Sequence, residues 1–341
     1  MTSERTTGEK LAGERLAGPS AEPIVRAAID CGANSVHALV ALAQEGRLRP
    51  LMDESTFLGL GVAARGGRLG AAKISELVAT VVRYVDAAQR LGAKQVLVVG
   101  TDPFRRARDA STAVAEVTRV TGLELAILSV EEEAMLTLLG VTEGRRVDRS
   151  LSVCDIGGGS TEVAILEPGR APRAVAIHAG SASLPERLNP RDPPTAADIA
   201  NLRAAAAVAV RRAHLPRTDR FVAVGGTSTN LLRILPVAAA DRSLTGERLA
   251  EILRVLAEEP AQVVAERHRV NPIRTPLLPA GAAILEAILA QSGTDHVDVV
   301  DASVREGLLV VASAAGEAWR SRLPDLASGW RPPEDLSAEA V

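Results

Sequence analysis

The sequence predicts an α/β protein made of two related domains, and three observations support this prediction. Short apolar runs with strand character alternate with segments of helical spacing along most of the 341 residues. A glycine-rich motif that follows one strand recurs in a weaker form earlier in the chain. Apolar residues make up 47% of the chain, which is enough for two cores of ordinary size.

The first half opens with two apolar runs on either side of a Gly-Ala-Asn turn, which indicates a β-hairpin. The hairpin strands span residues 24–30 and 35–42, and the elements predicted after them are a helix over 71–91, a strand over 94–100, a helix over 105–122 and a strand over 123–129. Ser129 and Glu132 have the spacing of a capping box, which predicts that the next helix begins there.

The second half follows a similar order. Residues 152–166 have the pattern of strand, glycine turn and strand. The elements predicted after them are a helix near 195–213, a strand over 220–226, helices up to about 290, a strand within 296–303 and a last helix from residue 304.

An internal repeat relates the two halves. When Asp30 is aligned with Asp155, the small residues after each aspartate correspond, and so does a later glycine that follows a valine-rich strand. The matched pairs are Gly32 with Gly157, Ala33 with Gly158, Asn34 with Gly159, Ser35 with Ser160, and Gly100 with Gly225. Two separate matches at one offset indicate a duplicated domain.

Residues 155–162 read Asp-Ile-Gly-Gly-Gly-Ser-Thr-Glu and form the strongest candidate site. Three glycines after a strand let backbone N–H groups form a nest for an anion, and Ser160 and Thr161 add hydroxyl donors. Asp155 and Glu162 at the two ends are suited to hold a hard cation such as Mg²⁺. A plain hairpin turn is the alternative, but the acidic ends and the earlier copy favour phosphate binding.

Two further segments have the composition of a phosphate site. Residues 225–230 read GGTSTN, follow a strand and begin a helix, where backbone amides attract anions. An ordinary glycine turn explains them equally well. Glu131, Glu132 and Glu133 begin another helix, where the helix dipole stabilises acidic side chains. One of them could instead orient or deprotonate a water, and spacing alone does not choose among the three.

Composition excludes several other functions. A net charge of −3 and an aromatic content of 2% argue against nucleic-acid binding. The sequence has no apolar run long enough to span a membrane, and its five histidines lack the spacing of a zinc site. Two cysteines, Cys31 and Cys154, cannot form a disulfide framework, so we expect a cytoplasmic protein. Residues 1–23 and 324–341 are predicted to be disordered tails.

The motifs resemble those of the exopolyphosphatase / guanosine-pentaphosphate phosphatase family over residues 24–315. The segments that carry the resemblance are IDCGANSVHALV, GTDPFRRARDA, LSVEEEAMLTLLGV, CDIGGGSTEVAI, AVGGTSTN and SVREGLLV. The resemblance implies duplicated actin-like ATPase (ribonuclease H-like) domains with an interdomain cleft. Domain I would comprise residues 24–129 and about 305–323, and domain II residues 130–304.

The resemblance also implies a set of site residues. Glu133 would be the catalytic glutamate, and Asp155 with Glu162 would bind Mg²⁺ or another divalent cation. The residues implied to bind phosphate are Asp30, Gly32, Asn34, Ser35, Arg105, Gly157, Gly158, Gly159, Ser160, Thr161, Gly226 and Thr227. The sequence departs from the family pattern at Val130, Met135, Phe57, Pro276 and Ser303. Met135 and Phe57 stand where the family commonly has arginine.

The implied reaction is release of terminal phosphate from inorganic polyphosphate, with short chains expected to be better substrates. Guanosine pentaphosphate is the second candidate substrate. A kinase of the same superfamily and a non-catalytic sensor of polyphosphate or a nucleotide alarmone are the competing functions. The expected partners are therefore polyphosphate or a phosphorylated guanosine nucleotide, without nucleic acid or membrane, and a homodimer is left open.

Overall fold

A computed structural model describes residues 23–44, 47–145, 147, 149–167, 170 and 172–328. These residues group into two units. The first unit comprises residues 23–144, 170, 172–174 and 302–328, and the second comprises residues 145–167 and 175–301. Residues 130–144 therefore group with the first unit, although the sequence boundary was placed at residue 130. Residues 324–328 are helical, and the rest of both predicted tails, except residue 23, lies outside the described residues.

Strands and helices alternate through both units, as the sequence predicted. The strands are β1 (Ile24–Cys31), β2 (Ser35–Gln44), β3 (Arg47–Phe57), β4 (Gln95–Gly100), β5 (Leu125–Ile127), β6 (Leu151–Ile156), β7 (Thr161–Leu166), β8 (Arg173–Ile177), β9 (Arg220–Val224), β10 (Ser243–Thr245) and β11 (His296–Val299). The helices are α1 (Leu60–Arg65), α2 (Ala71–Arg90), α3 (Asp102–Arg106), α4 (Ala110–Thr121), α5 (Val130–Thr142), α6 (Ser183–Leu188), α7 (Ala196–Ala213), α8 (Gly225–Ile234), α9 (Pro236–Asp241), α10 (Gly246–Glu258), α11 (Ala261–His268), α12 (Leu278–Ser292), α13 (Val304–Ala315) and α14 (Trp319–Ser328).

The first unit contains a five-stranded sheet with the order β3-β2-β1-β4-β5. β1 pairs antiparallel with β2 and parallel with β4, which confirms the predicted hairpin. β3 was not predicted, because most of its residues are exposed and it lacks an alternating apolar face. Pro50 within β3 cannot donate to a neighbouring strand, which is tolerated because β3 lies at the edge of the sheet.

The helix predicted over 105–122 is wrong, since the chain forms two helices, α3 and α4, in that region. Ala107 between them is extended. The Asp109 carboxylate accepts the N–H groups of Leu69 and Gly70 at 2.8 and 2.9 Å. These distant contacts fix Asp109 outside the helix, and local spacing could not reveal them.

Helix α5 packs against α13 with backbone in direct contact. A Cβ atom on Gly307 would lie 1.9 Å from the carbonyl oxygen of Leu136, and one on Gly140 would lie 2.4 Å from the carbonyl oxygen of Ser303. Each glycine therefore provides the space that the other helix occupies. This close packing fixes the position of α5 in the first unit.

The second unit contains a six-stranded sheet with the order β10-β11-β9-β6-β7-β8. Read from β8 to β11, this order repeats the order of the first sheet from β3 to β5. The register agrees as well, because Asp30 lies beside Val99 of the parallel neighbour and Asp155 lies beside Val224. These pairs match at the offset found in the sequence, so the predicted duplication is confirmed. The extra strand β10 pairs antiparallel with β11 at the edge.

Helices α7, α8, α10 and α12 supply much of the core of the second unit. Their buried side chains include Leu202, Leu231, Ile252 and Ile288, which join those of the sheet in one cluster. Among the described residues, no helix is both long and apolar enough to cross a membrane.

Candidate active site

The turn between β1 and β2 directs backbone amides toward one side. The carbonyl of Asn34 accepts two N–H groups, both at 2.9 Å, and the carbonyl of Ala33 accepts a third at 2.7 Å. All three donors lie in residues 58–61. In a trans peptide the carbonyl points opposite to the next N–H. The N–H groups of Asn34 and Ser35 therefore point away from residues 58–61.

The turn between β6 and β7 has the same arrangement with three glycines. The carbonyls of Gly157, Gly158 and Gly159 all accept hydrogen bonds from residues 181–183, at distances of 2.9 to 3.1 Å. The N–H groups that follow these carbonyls, ending with that of Ser160, consequently point to the opposite side. Adjacent N–H groups with this orientation form a concave site for an anion.

The two turns are thus held by equivalent segments. Residues 58–61 follow β3 and lead into α1, and residues 181–183 follow β8 and lead into α6. Sequence reasoning found both turns but not the segments that hold them. Those segments are distant along the chain and carry no motif of their own.

Two predicted phosphate ligands have side chains that serve the fold. Thr161 is fully buried, and its hydroxyl donates to the carbonyl of Ala179 at 2.7 Å. The hydroxyl of Thr227 donates to the carbonyl of Ile156 at 2.8 Å. Both hydroxyls therefore stabilise the loops from inside, and phosphate binding at Thr161 and Thr227 stays a prediction.

Asp155 and Glu162 face each other at the base of the glycine turn, as paired residues of β6 and β7. The hydroxyl of Ser160 donates to Oε1 of Glu162 at 2.5 Å. Asp155 also lies at the start of α8, because a Cβ atom on Gly225 would be only 2.3 Å from Oδ1 of Asp155. Gly225 has φ +81°, a conformation that also favours glycine.

Arg274 is a site residue that sequence reasoning missed. A Cβ atom on Gly226 would lie 1.7 Å from Nη1 of Arg274, so the guanidinium rests directly on that glycine. Burial lowers the pKa of Arg274, and the nearby negative charge of Asp155 partly opposes this effect. The positive charge of the Arg274 guanidinium therefore lies beside the loop that begins with Gly225 and Gly226. The sequence analysis predicted only helices up to about residue 290 in this region and assigned no motif to position 274.

The acidic pair has the donor chemistry of a magnesium site. No group of three or more His, Cys, Asp or Glu residues with metal-binding geometry occurs in the part of the chain that the structure describes. Magnesium is commonly bound by one or two carboxylates, with water and substrate phosphate completing its shell. Asp155 and Glu162 provide such a donor set.

The two cysteines beside the key aspartates are buried. Burial, together with the charge of the neighbouring aspartate, raises the pKa of the thiols of Cys31 and Cys154. Neutral buried thiols are poor nucleophiles and poor metal ligands. Both residues therefore act as small apolar side chains of their strands.

The three glutamates of α5 differ in their surroundings. Ser129 and Glu132 form the predicted capping box, with hydrogen bonds of 3.1 and 2.8 Å. Burial alone would raise the pKa of Glu132, but hydrogen bonds from Arg320 and from Ser129 lower it overall. The pKa of Glu131 is also lowered, chiefly by a hydrogen bond from its own N–H. Only Glu133 among the three has a raised pKa.

Glu133 is held by Arg105. Nη1 of Arg105 lies 2.7 Å from Oε2 of Glu133 and donates to the carbonyl of Leu128 at 3.0 Å. The Glu133 side chain is 16% exposed. Burial raises its pKa, Arg105 opposes that rise, and Asp102 adds to it. The phosphate-binding role of Arg105 stays a prediction, while its contact with Glu133 adds a role that the sequence did not indicate.

A second buried arginine adjoins the first turn. Arg305 in α13 pairs with Asp53, and its side chain is 13% exposed. Burial would lower the pKa of Arg305, but Glu306, Asp53 and Asp30 together raise it. Ser303, where the sequence departs from the family pattern, forms a capping box with Glu306 at the start of α13. This local role accounts for the serine.

Comparison with known proteins relates this arrangement to one family. Residues 39–314 match the Ppx/GppA phosphatase family. The chain is 29% identical over 299 residues to exopolyphosphatase 1 of Mycobacterium tuberculosis, covering 83% of this chain and 86% of that protein. It is 26% identical over 310 residues to a guanosine-5'-triphosphate,3'-diphosphate pyrophosphatase of Vibrio cholerae. That match covers 83% of this chain but 58% of the relative.

A solved structure supports the same relationship. The crystal structure of the Aquifex aeolicus member of the Ppx/GppA family superposes with a TM-score of 0.75 and 26% sequence identity. The match covers 86% of this chain and 98% of that one. The duplicated α/β fold of the actin-like ATPase type is therefore confirmed.

Replacing Arg105 should destabilise the protein in a pH-dependent way. In Arg105→Met the burial of Glu133 persists while its counter-charge is lost, so its pKa should rise further. A carboxyl group whose pKa is higher in the folded state than in the unfolded state stabilises the protein at low pH. This stabilisation is lost as the pH rises through the pKa of the folded state. Urea denaturation should show a loss of up to about 3–5 kcal/mol near pH 8 and a smaller loss near pH 5.

Arg106→Met is the matched control, because the pair of Arg106 with Asp102 is more exposed. Its removal should cost less than about 1 kcal/mol at either pH. Equal losses for Arg105→Met at both pH values would contradict the electrostatic interpretation of the Glu133 pair.

Proposed function

The chain belongs to the Ppx/GppA phosphatase family, and we propose that it is a phosphohydrolase that releases terminal phosphate from inorganic polyphosphate. The general activity, hydrolysis of a phosphoanhydride, is supported by relatives named exopolyphosphatase and guanosine pentaphosphate pyrophosphatase. The finer assignment is that polyphosphate, in short chains, is the preferred substrate.

The state of Glu133 is the observation that carries this proposal. Glu132 and Glu133 are both largely buried and each pairs with an arginine, but burial raises the pKa of Glu133 overall, while hydrogen bonds lower that of Glu132. A carboxylate acts best as a base when its pKa approaches the working pH. Burial moves Glu133 in that direction, and Arg105 limits the rise so that the carboxylate remains available. A sensor that only binds its ligand would not need this balance.

We assign the other residues to binding. Within each unit the amides of the turn, at residues 32–35 or 157–160, would hold phosphate oxygens, and Arg274 would add positive charge beside Gly226 in the second unit. Asp155 and Glu162 would hold Mg²⁺, which when bound supplies charge neutralisation for the phosphates. Glu133 would accept a proton from the attacking water and orient it. Phosphoanhydride cleavage depends mainly on such positioning and neutralisation.

Guanosine pentaphosphate is the second candidate substrate, and a cavity in the second unit favours it. This cavity has a volume of about 280 Å³ and is lined by residues that include Pro185, Asn189, Arg191, Leu256 and Pro276. Its lining includes Thr275 and Pro276, which follow Arg274 in the chain. Its mixed apolar and polar lining is suited to a nucleoside.

A phosphate-release panel tests the proposed function. Short polyphosphates should give a higher kcat/KM than long polyphosphate, guanosine pentaphosphate or ATP at fixed free Mg²⁺. The chain has a net charge of −3, with Met135 and Phe57 where arginines are common in the family, so contacts to distant phosphates should be weak. Salt should weaken them further, because the Debye length is about 8–10 Å near physiological ionic strength.

The outcomes of the panel separate the alternatives. A higher kcat/KM for guanosine pentaphosphate than for short polyphosphates would identify the nucleotide as the preferred substrate. Efficiency that rises with chain length would contradict the short-chain assignment. Binding of polyphosphate without phosphate release from any substrate would indicate a sensor.

Glu133→Gln should fold normally but lose most turnover. The expected decrease in kcat is on the order of 10²–10⁴-fold, the usual range for general acid–base catalysis. Glu131→Gln is the matched control, because Glu131 lies in the same helical turn but is exposed. Equal losses in both variants, or an active Glu133→Gln protein, would refute the role of Glu133.

Turnover should require a divalent cation held by the acidic pair. Asp155→Asn and Glu162→Gln should each raise the Mg²⁺ concentration for half-maximal activity or abolish activity. Glu247→Gln, at an exposed position of the second unit, is the control and should titrate like the wild type. Full wild-type activity in excess chelator would refute the metal requirement.

A further inference from the structure

The turn that leads from β5 into α5 is held by two arginines. One is Arg105, which donates to the carbonyl of Leu128 and pairs with Glu133. The other is Arg320, which donates to the carbonyl of Ile127 at 2.8 Å. Successive carbonyls of an extended chain point to opposite sides, so the two arginines approach the turn from opposite directions.

Arg320 also holds the glutamate next to Glu133. Its Nε lies 2.6 Å from Oε1 of Glu132, and its Nη2 lies 2.9 Å from Oε2. This is a two-point contact between guanidinium and carboxylate, the geometry in which arginine pairs are strongest. The same Glu132 carboxylate accepts the N–H of Ser129 in the capping box. One arginine therefore joins the last carbonyl of β5 to the cap of α5.

The backbone of Arg320 is itself well anchored. Trp319, Leu323 and Ala327 of α14 are buried, with exposures of 7%, 0% and 0%. Their spacing places them on one face of α14, which packs against both α5 and α13. Arg320 thus extends from a fixed helix, and its side chain is 43% exposed while that of Glu132 is 19% exposed.

We propose that Arg320 is a positioning residue for Glu133, acting through Glu132 and the turn at Ile127. The proposal rests on the catalytic role proposed above for Glu133. Without Arg320, the first turn of α5 keeps its capping box but loses the ion pair and the hydrogen bond that join it and the turn at Ile127 to α14. The pairing of Glu133 with Arg105 should then become looser, because both depend on the same short turn.

The expected kinetic result is a loss in kcat with little change in KM. Arg320 touches no residue assigned to phosphate binding, so substrate affinity should remain near that of the wild type. For Arg320→Ala the decrease in kcat should be about tenfold, below the ~10² that a misplacement of 1 Å can cause. When Arg105 pairs less closely with Glu133, it lowers the pKa of Glu133 less. The pH below which kcat decreases should therefore be higher than in the wild type.

A direct measurement of Glu133 makes the test independent of turnover. The carboxyl carbon of Glu133 can be followed by ¹³C NMR against pH and assigned by comparison with Glu133→Gln. Arg320→Ala should raise the pKa of Glu133. Arg322→Ala is the matched control on the same helix, since Arg322 is exposed and pairs with Asp325 three residues away. Its Glu133 pKa and kcat should equal those of the wild type.

Thermal melting would show whether Arg320→Ala folds normally. Two further variants test the same inference if it does not. Glu132→Gln keeps the capping box, which accepts glutamine, but loses the charged pair, so it should shift the pKa in the same direction. Arg320→Lys should restore part of the kcat, because lysine keeps the charge but not the two-point contact. Adding Arg320→Ala to Glu132→Gln should cause little further change.

The outcomes distinguish this inference from the proposed function. An unchanged Glu133 pKa in both Arg320→Ala and Glu132→Gln would overturn the positioning role, whatever the turnover. A shifted pKa in a protein that releases no phosphate from any substrate would support the coupling and refute the proposed function alone. A tenfold loss in the Arg322→Ala control as well would indicate general damage to α14 and count against the inference.

Discussion

The orientation of a few peptide groups is the constraint on which the candidate site depends. In each unit the carbonyls of a short turn are bound by a segment that follows the third strand, so the intervening amides point the other way. Glycine is required where the chains approach this closely, but the donors at residues 58–61 and 181–183 decide the direction. An anion can then bind to backbone groups without any net positive charge on the loop.

The sequence was sufficient for features that depend on local spacing. The hairpins and the capping box at Ser129 were predicted because each follows from residues close together in the chain, and the repeat because each of its copies, at Asp30 and Asp155, is a short continuous motif. The break between α3 and α4, the position of Arg274 and the contact of Arg320 with α5 were missed. Each of these is set by a partner many residues away, which no local pattern specifies.

The choice among the three glutamates shows the same limit. Their shared position at a helix N-terminus made them equivalent in the sequence, and only the family resemblance favoured Glu133. The structure separates them physically, since one is exposed, one is held by Arg320, and one is buried against Arg105. Burial and partner charge, the quantities that decide reactivity, are properties of the folded unit.

The matched strand registers also reveal how the two halves have diverged. Asp155 is paired across its hairpin with Glu162, but Asp30 is paired across the equivalent hairpin with His37. If a single ancestral domain was duplicated, one copy keeps two acidic groups at this point and the other keeps one. The shared strand register therefore does not require an acidic residue opposite the aspartate, since the same strand pair forms with glutamate in one unit and histidine in the other.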